Sequence, residues 1–280
     1  MERKIKAQVK GFQAVDGAGV HLVRVLSNQT VKEFDPFLML DSFDSTHPED
    51  YTAGFPMHPH RGIETITFVA KGNMRHKDSM GFQDTVNDGE VQYMTAGSGI
   101  LHEETIPASP RMLGLQLWIN LPSKEKMAKP TYKAIKKNEI PEVAIPGGTL
   151  RVLMGEYDGT KGYPSHHLPL DYYHIHLDPD TSFTWKVDEN RAAMGFTLLG
   201  EVTIAGEKIS EKTAVRFTEG DSVTITAGKD PVEFMFMSSL ALGEPVHWGG
   251  PIVMDTREGL LQAFQELQEG TFLKDTMDVE

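Results

Sequence analysis

Short runs rich in β-branched and aromatic residues, broken by Gly, Asn and Asp, dominate the hydrophobic pattern of this chain. Ile63 to Val69, Leu113 to Ile119, Met194 to Leu199, Val223 to Thr226 and Val232 to Met237 are the clearest of them. Their length and punctuation predict an all-β sandwich or barrel. The C-terminus breaks the pattern. From Thr256 to Gln268 the apolar residues Leu260, Leu261, Phe264 and Leu267 fall at three-to-four spacing. That predicts an amphipathic helix with Thr256 as N-cap, a packing element rather than a chemical one.

The strand-rich pattern is stated twice. Asp88-Gly89-Glu90 precedes Thr95-Ala96-Gly97, and Glu219-Gly220-Asp221 precedes Thr226-Ala227-Gly228. A β-rich run ending in Gly72 or Gly200 lies before each copy. The reading is an acidic turn, a strand and a tight turn built twice, hence two similar β-barrels in tandem. Lys124 to Gly148 is Lys-rich, carries Pro130, Pro141, Pro146 and the Gly147-Gly148 pair, and is the expected linker.

Composition narrows the function. A 280-residue chain with 39% hydrophobic residues can bury a sizeable core. Its net charge of −13 disfavours direct nucleic-acid binding through a broad basic surface. The absence of Cys excludes disulfides, Cys-ligated zinc, iron–sulfur clusters and a Cys nucleophile. The basic start lacks the apolar stretch of a secretory signal, and the uncharged run Met112 to Ser123 is too short to span a bilayer. A soluble cytoplasmic protein is expected. No G-x-S-x-G elbow, Walker A loop or Rossmann fingerprint is present.

The histidines carry the candidate chemistry. In His58-Pro59-His60 both rings share one face of an extended segment, and His102-Glu103-Glu104 has the same spacing. If the two segments are neighbours, His58, His60, His102 and Glu104 converge on one point. Three imidazoles and a carboxylate suit Fe, Mn, Ni, Cu or Zn, and leave an octahedral ion two open positions. Glu64 competes with Glu104, since a regular strand would place it on the same face as His60; it could be a ligand, a partner of one or an acid/base group. Applied to the second copy, the same counts reach Lys186, Asp188, Glu233 and Met235, so that half is expected to lack the site. His166, His167, His174 and His176 surround Tyr172-Tyr173 without an evident carboxylate partner, and are expected at a solvent-facing strand edge.

Several long motifs resemble those of the pirin family: FPMHPHRGIET (Phe55 to Thr65), MTAGSGILHEE (Met94 to Glu104), GLQLWINL (Gly114 to Leu121), EKM (Glu125 to Met127) and GPIVMDT (Gly250 to Thr256). The resemblance runs over nearly all the chain and is strongest from residue 30 to 132. It implies an all-β bicupin: two tandem jelly-roll-like barrels and a C-terminal helix. Residues 1–132 would form the metal-bearing cupin domain. Residues 133–280 would form a cupin without ligands, ending in the helix. Carried over by motif, the ligands are His58, His60, His102 and Glu104, which departs from the general cupin pattern, where the Glu of the first motif ligates. Fe(II) is the implied metal, with Mn, Ni, Cu and Zn compatible with the donors. Two functions are implied. One is quercetin 2,3-dioxygenase activity on a flavonol and dioxygen, with Glu104 or Glu64 accepting the substrate proton and Phe55, Met57 and the Gly114 to Trp118 strand holding the rings. The other is a non-enzymatic iron protein that binds regulatory or metabolic protein partners, transcription factors among them.

Overall fold

The structure, a computed structural model, describes residues 1–275. The chain divides into two compact units. The N-terminal unit comprises Gln13–Asn28, Phe37–Lys137 and the described residues from Leu242; the C-terminal unit comprises Met1–Phe12, Gln29–Pro36 and Asn138–Ala241.

Eight strands build the centre of the N-terminal unit: β1 (Phe37–Ser45), β2 (Phe55–His60), β3 (Ile63–Lys71), β4 (Met74–Asp78), β5 (Gln83–Val86), β6 (Glu90–Thr95), β7 (Ile100–Thr105) and β8 (Met112–Asn120). They form two antiparallel sheets. One has the order β2-β7-β4-β5. The other contains β6-β3-β8-β1, extended by Thr131–Ile135 beyond β6 and by Val20–Leu26 and Phe12–Asp16 beyond β1. The core lies between the sheets, where Met74 and Val86 of the first meet Phe43, Val69 and Met112 of the second. These strands form because branched and aromatic residues suit a pleated surface buried on one or both faces. β8 is buried at every position but Gln116.

The C-terminal unit repeats the plan with β9 (Leu170–Leu177), β10 (Ser182–Lys186), β11 (Ala192–Leu199), β12 (Glu201–Ile204), β13 (Glu207–Ser210), β14 (Thr213–Phe217), β15 (Ser222–Ala227) and β16 (Val232–Ser239). The small sheet is ordered β10-β15-β12-β13 and the large one contains β14-β11-β16-β9. Both orders match the N-terminal unit strand for strand. Here aromatic packing fills the interior: Phe183 stacks on Trp185 at 5.4 Å, and Trp185 meets Phe236 edge-on at 5.1 Å.

The observed units differ from a single cut after residue 132. The strand Ile5–Lys10 pairs with β14 of the C-terminal unit. The helix α1 (Arg257–Glu269) groups with the N-terminal unit, its Thr256 side chain accepting from the Gly259 N–H at 3.0 Å as expected of an N-cap. The expected linker is also structured. Thr131–Ile135 pairs with β6, and Glu142–Ile145 forms a hairpin with Gly148–Met154 across Gly147, whose φ of +70° suits glycine. Backbone pairing satisfies polar groups in this segment that an unstructured linker would leave to water. Among the described residues no helix is long and apolar enough to cross a membrane.

Candidate metal centre

Strand pairing assembles the site. In the four-stranded sheet His102 of β7 lies opposite His58 of β2 on one side and opposite Asp78 of β4 on the other; Glu104 lies opposite His76. Side chains at i and i+2 share a face, and paired residues share it across the ladder. One face therefore carries His58 and His60, His102 and Glu104, His76 and Asp78. The expected neighbourhood of the two His-x-His/Glu segments is thus direct: β2 and β7 are hydrogen-bonded partners.

His58, His60 and His102 each place a ring nitrogen within 4.8 Å of the others. Two of the rings are oriented by carbonyls. Nδ1 of His58 lies 2.8 Å from Pro56 O and Nδ1 of His60 lies 3.0 Å from Pro251 O. A carbonyl only accepts, so both Nδ1 atoms carry hydrogen, and in the neutral rings both Nε2 atoms are bare. Those two Nε2 atoms face each other at 3.1 Å. Two lone pairs at that distance repel unless a cation sits beside them. Nε2 of His102 is buried and has no hydrogen-bond partner. Three imidazole lone pairs, with their other nitrogens held as metal-bound histidines usually are, fit a transition-metal ion. Burial, then the neighbouring His58, holds His60 down at about 3; burial and the surrounding His60, His58 and His76 hold His102 well below the ordinary histidine value. Both are therefore neutral at pH 7, the form that binds metal.

Glu104 is buried and lines the same cavity, but its carboxylate is not within the 4.8 Å cluster. Its Oε1 accepts from Gln92 Nε2 at 3.1 Å, and Oε2 from Gln116 Nε2 at 3.3 Å. Glu64 lies elsewhere. It opens β3, in the other sheet, after the chain reverses at Gly62 with φ of +78°. It pairs with Thr95 and Ile119, on the face opposite to that of Thr65 and Thr67. Its Oε1 accepts from the Tyr93 hydroxyl at 2.6 Å and the Thr95 hydroxyl at 2.8 Å. The reversal at Gly62 is why the regular-strand count from His60 fails for Glu64.

His58, His60 and Glu104 line a cavity of about 650 Å³, and His102 is not among its lining residues. Phe43, Phe55, Met57, Trp118 and Trp248 supply apolar walls, and Arg24, Asp41 and Asp16 form a charged patch. Arg24 makes a two-pronged contact with Asp41, at 3.0 and 2.7 Å, and reaches Asp16 at 2.6 Å. Phe55, Met57 and Trp118 are where the sequence expected them; Gly114 is not among the lining residues.

The second histidine cluster differs from expectation. β9 is an interior strand, lying between Gly148–Met154 and β16. His174 Nε2 lies 2.7 Å from Glu233 Oε2, and His176 Nδ1 2.9 Å from Glu233 Oε1. Burial pushes Glu233 up, but the hydrogen bonds from both histidines outweigh it and leave the carboxyl below its usual value. The carboxylate partner is supplied by the neighbouring strand, fifty-nine residues away in sequence.

Family models for the pirin domain match residues 19–119, and for the pirin C-terminal cupin domain residues 172–273. The chain belongs to the pirin family. It is 42% identical over 275 residues to a pirin-like protein of Caulobacter vibrioides, covering 96% of this chain and 99% of that one. It is 35% identical to human pirin, covering 95% of this chain and 92% of that one. A crystal structure described as quercetin 2,3-dioxygenase from Acinetobacter baumannii superposes with a TM-score of 0.89 at 31% identity, covering 97% and 99% of the two chains. The two units of this pirin are accordingly cupins, and its fold is the all-β bicupin with a C-terminal helix.

Sequence reasoning missed the residues behind the triad. His76, Asp78, Gln92, Gln116 and Tyr132 are each engaged with a candidate ligand or with a residue that holds one. The alternation His76-x-Asp78 within a strand-like run was the one available signal. Pro251 also escaped notice, although the motif containing it was recognised. It is brought to His60 because Arg61, buried, donates to Ser98 O and Phe272 O, pairs with Glu266, and accepts at its carbonyl from Val253 N–H.

Proposed function

We propose that this pirin is a metal-dependent dioxygenase of flavonol-like substrates, with one Fe(II) held by His58, His60 and His102 and with Glu104 as the fourth ligand. The observation that carries this reading is the cluster of three imidazole nitrogens, two of whose rings, His58 and His60, line an aromatic-walled cavity. The similarity to the Acinetobacter baumannii structure described as quercetin 2,3-dioxygenase supports the choice of reaction. The same donors accept Mn, Ni, Cu or Zn, and availability decides among them.

When bound, the metal supplies Lewis acidity toward a substrate hydroxyl and the redox chemistry of dioxygen. The protein supplies the rest. Phe43, Phe55 and Trp118 give apolar walls against which fused rings would pack. Trp118 is oriented by its Nε1–H, which donates to Gln116 Oε1 at 3.1 Å. Released from the metal, the Glu104 carboxylate would accept the proton of the substrate hydroxyl. Gln92 and Gln116 hold that carboxylate toward the cavity by donating to it, so accepting the proton needs no rearrangement of the backbone. Iron-loaded protein is expected to consume quercetin only in the presence of dioxygen, followed by absorbance. His58→Ala is expected to abolish turnover together with bound metal; turnover that survives loss of the metal contradicts the reading.

A non-enzymatic role, in which the metal-bound protein associates with a basic partner protein, is favoured by the net charge of −13. Stoichiometric metal without flavonol turnover for any ion would move the weight to it.

A further inference from the structure

Behind His102 lies a buried chain of polar groups with a direction. His76 Nε2 is 2.7 Å from Asp78 Oδ2. The other oxygen of Asp78 accepts from the backbone N–H of Met80 at 2.9 Å and of Phe82 at 3.0 Å. Nδ1 of His76 faces Nδ1 of His102 at 3.4 Å. His76, Asp78 and His102 are all buried. Tyr132 stacks on His76, with centroids 3.9 Å apart and planes 8° from parallel. Its hydroxyl donates to Gln92 Oε1 at 3.1 Å, and Gln92 in turn donates to Glu104. One aromatic ring thus supports both the His102 side and the Glu104 side of the site.

The donor count sets the direction. Asp78 is an acceptor with both oxygens engaged, so His76 donates to it from Nε2. With a neutral His76, its Nδ1 is then a lone pair, and the hydrogen between the two rings belongs to Nδ1 of His102. That leaves Nε2 of His102 bare, and this is the buried atom without a hydrogen-bond partner in a ring that clusters with His58 and His60. The opposite arrangement puts a hydrogen on Nε2 of His102 and closes the site.

We infer that Asp78 and His76 are positioning residues that fix the tautomer of His102, through a buried Asp78–His76–His102 chain, and so keep its Nε2 open to a metal ion. The inference rests on reading His102 as a ligand. His58 and His60 achieve the same end with backbone carbonyls; His102, in the middle strand of its three, has a side chain on the neighbouring strand do it. The choice of a carboxylate at the end of the chain also increases the basicity of the ligand ring, as carboxylates behind metal-bound histidines do.

Two measurements test it. The first needs neither a variant nor a metal: nitrogen-15 spectra of histidine rings in the folded metal-free chain. Neutral His76 protonated on Nε2 and neutral His102 protonated on Nδ1 are expected. His102 protonated on Nε2, or a cationic His76, overturns the inference. The second is Asp78→Asn. The amide oxygen must remain with the Met80 and Phe82 N–H groups, so the NH2 faces His76 and makes its Nε2 an acceptor. The proton of His76 moves to Nδ1, and that of His102 to Nε2. The spectrum of the variant is expected to show this exchange, which mere loosening of the fold would not produce. Its affinity for Zn(II), read by chelator competition, is expected to fall about 10–100-fold. Unchanged tautomers with unchanged Zn(II) affinity overturn the inference. Should wild type bind no metal while showing the expected tautomers, the reading of the metal centre fails and the hydrogen-bond chain stands.

Discussion

At the scale of single residues, the site is a problem in hydrogen-bond donors. His58 and His60 hand their Nδ1–H groups to Pro56 and Pro251, and the bare Nε2 atoms that result are what a metal needs. Those two histidines and His102 were legible in the sequence, because i, i+2 alternation is a local rule. Glu64 against Glu104 was not decided by spacing. The decision depends on a chain reversal at Gly62, where a side chain would place Cβ 2.0 Å from Val253 O. Glu64→Gln is therefore expected to leave metal stoichiometry intact. Its cost appears in stability instead: disturbing the acceptor of two buried hydroxyls is expected to lower stability by about 1–3 kcal/mol in a denaturant titration. Metal loss in this variant would place Glu64 in the site after all. His76, Asp78, Gln92 and Tyr132 were illegible because cross-strand pairing brings them together, and register is not written in any one strand.

At the scale of elements, the internal repeat was seen but misaligned. The matched segments Asp88 to Gly97 and Glu219 to Gly228 lead into β6 and β15, yet β6 belongs to the large sheet of its unit and β15 to the small sheet. Strand order instead makes β6 the counterpart of β14 and β7 the counterpart of β15. Acidic turns before strands recur by local chemistry, so a short match slid by one strand. With the corrected pairing, the strands equivalent to β2 and β7 are β10 and β15. These send Phe183, Trp185, Val223 and Ile225 into the core of the C-terminal unit. That interior is tightly fitted at Gly195, where a Cβ would meet the Phe234 ring at 2.2 Å. Gly195→Ala is expected to destabilise by about 1–3 kcal/mol through overpacking; a melting temperature equal to wild type would show that the ring has room to move. The C-terminal helix and its cap were legible as local signals, but of the expected stripe only Leu260 and Leu267 pack inward; Leu261 and Phe264 are exposed, and Ala263 and Glu266 are the buried residues. Thr256→Ala is expected to cost about 1 kcal/mol, read from chemical denaturation.

At the scale of the whole molecule, the buried imidazoles link stability to pH. The folded state holds His60 neutral down to about 3, whereas an unfolded chain takes up that proton near 6.5. Between those values the unfolded state binds more protons, so the stability of the metal-free protein falls as pH falls from about 6.5 toward 3. His102, shifted in the same direction, adds to this loss. Thermal melts of metal-free protein are expected to drop steadily below about pH 6.5, the ordinary histidine value. A flat profile there would mean that the rings are not buried neutral. Bound metal stabilises only the folded state, so loading is expected to raise the melting temperature.

The most direct test of the account is a metal titration of the 280-residue chain against its His102→Ala variant. The account expects one tight site per chain in wild type and none in the variant. An absence of metal binding in wild type, or a site unaffected by losing His102, would contradict it.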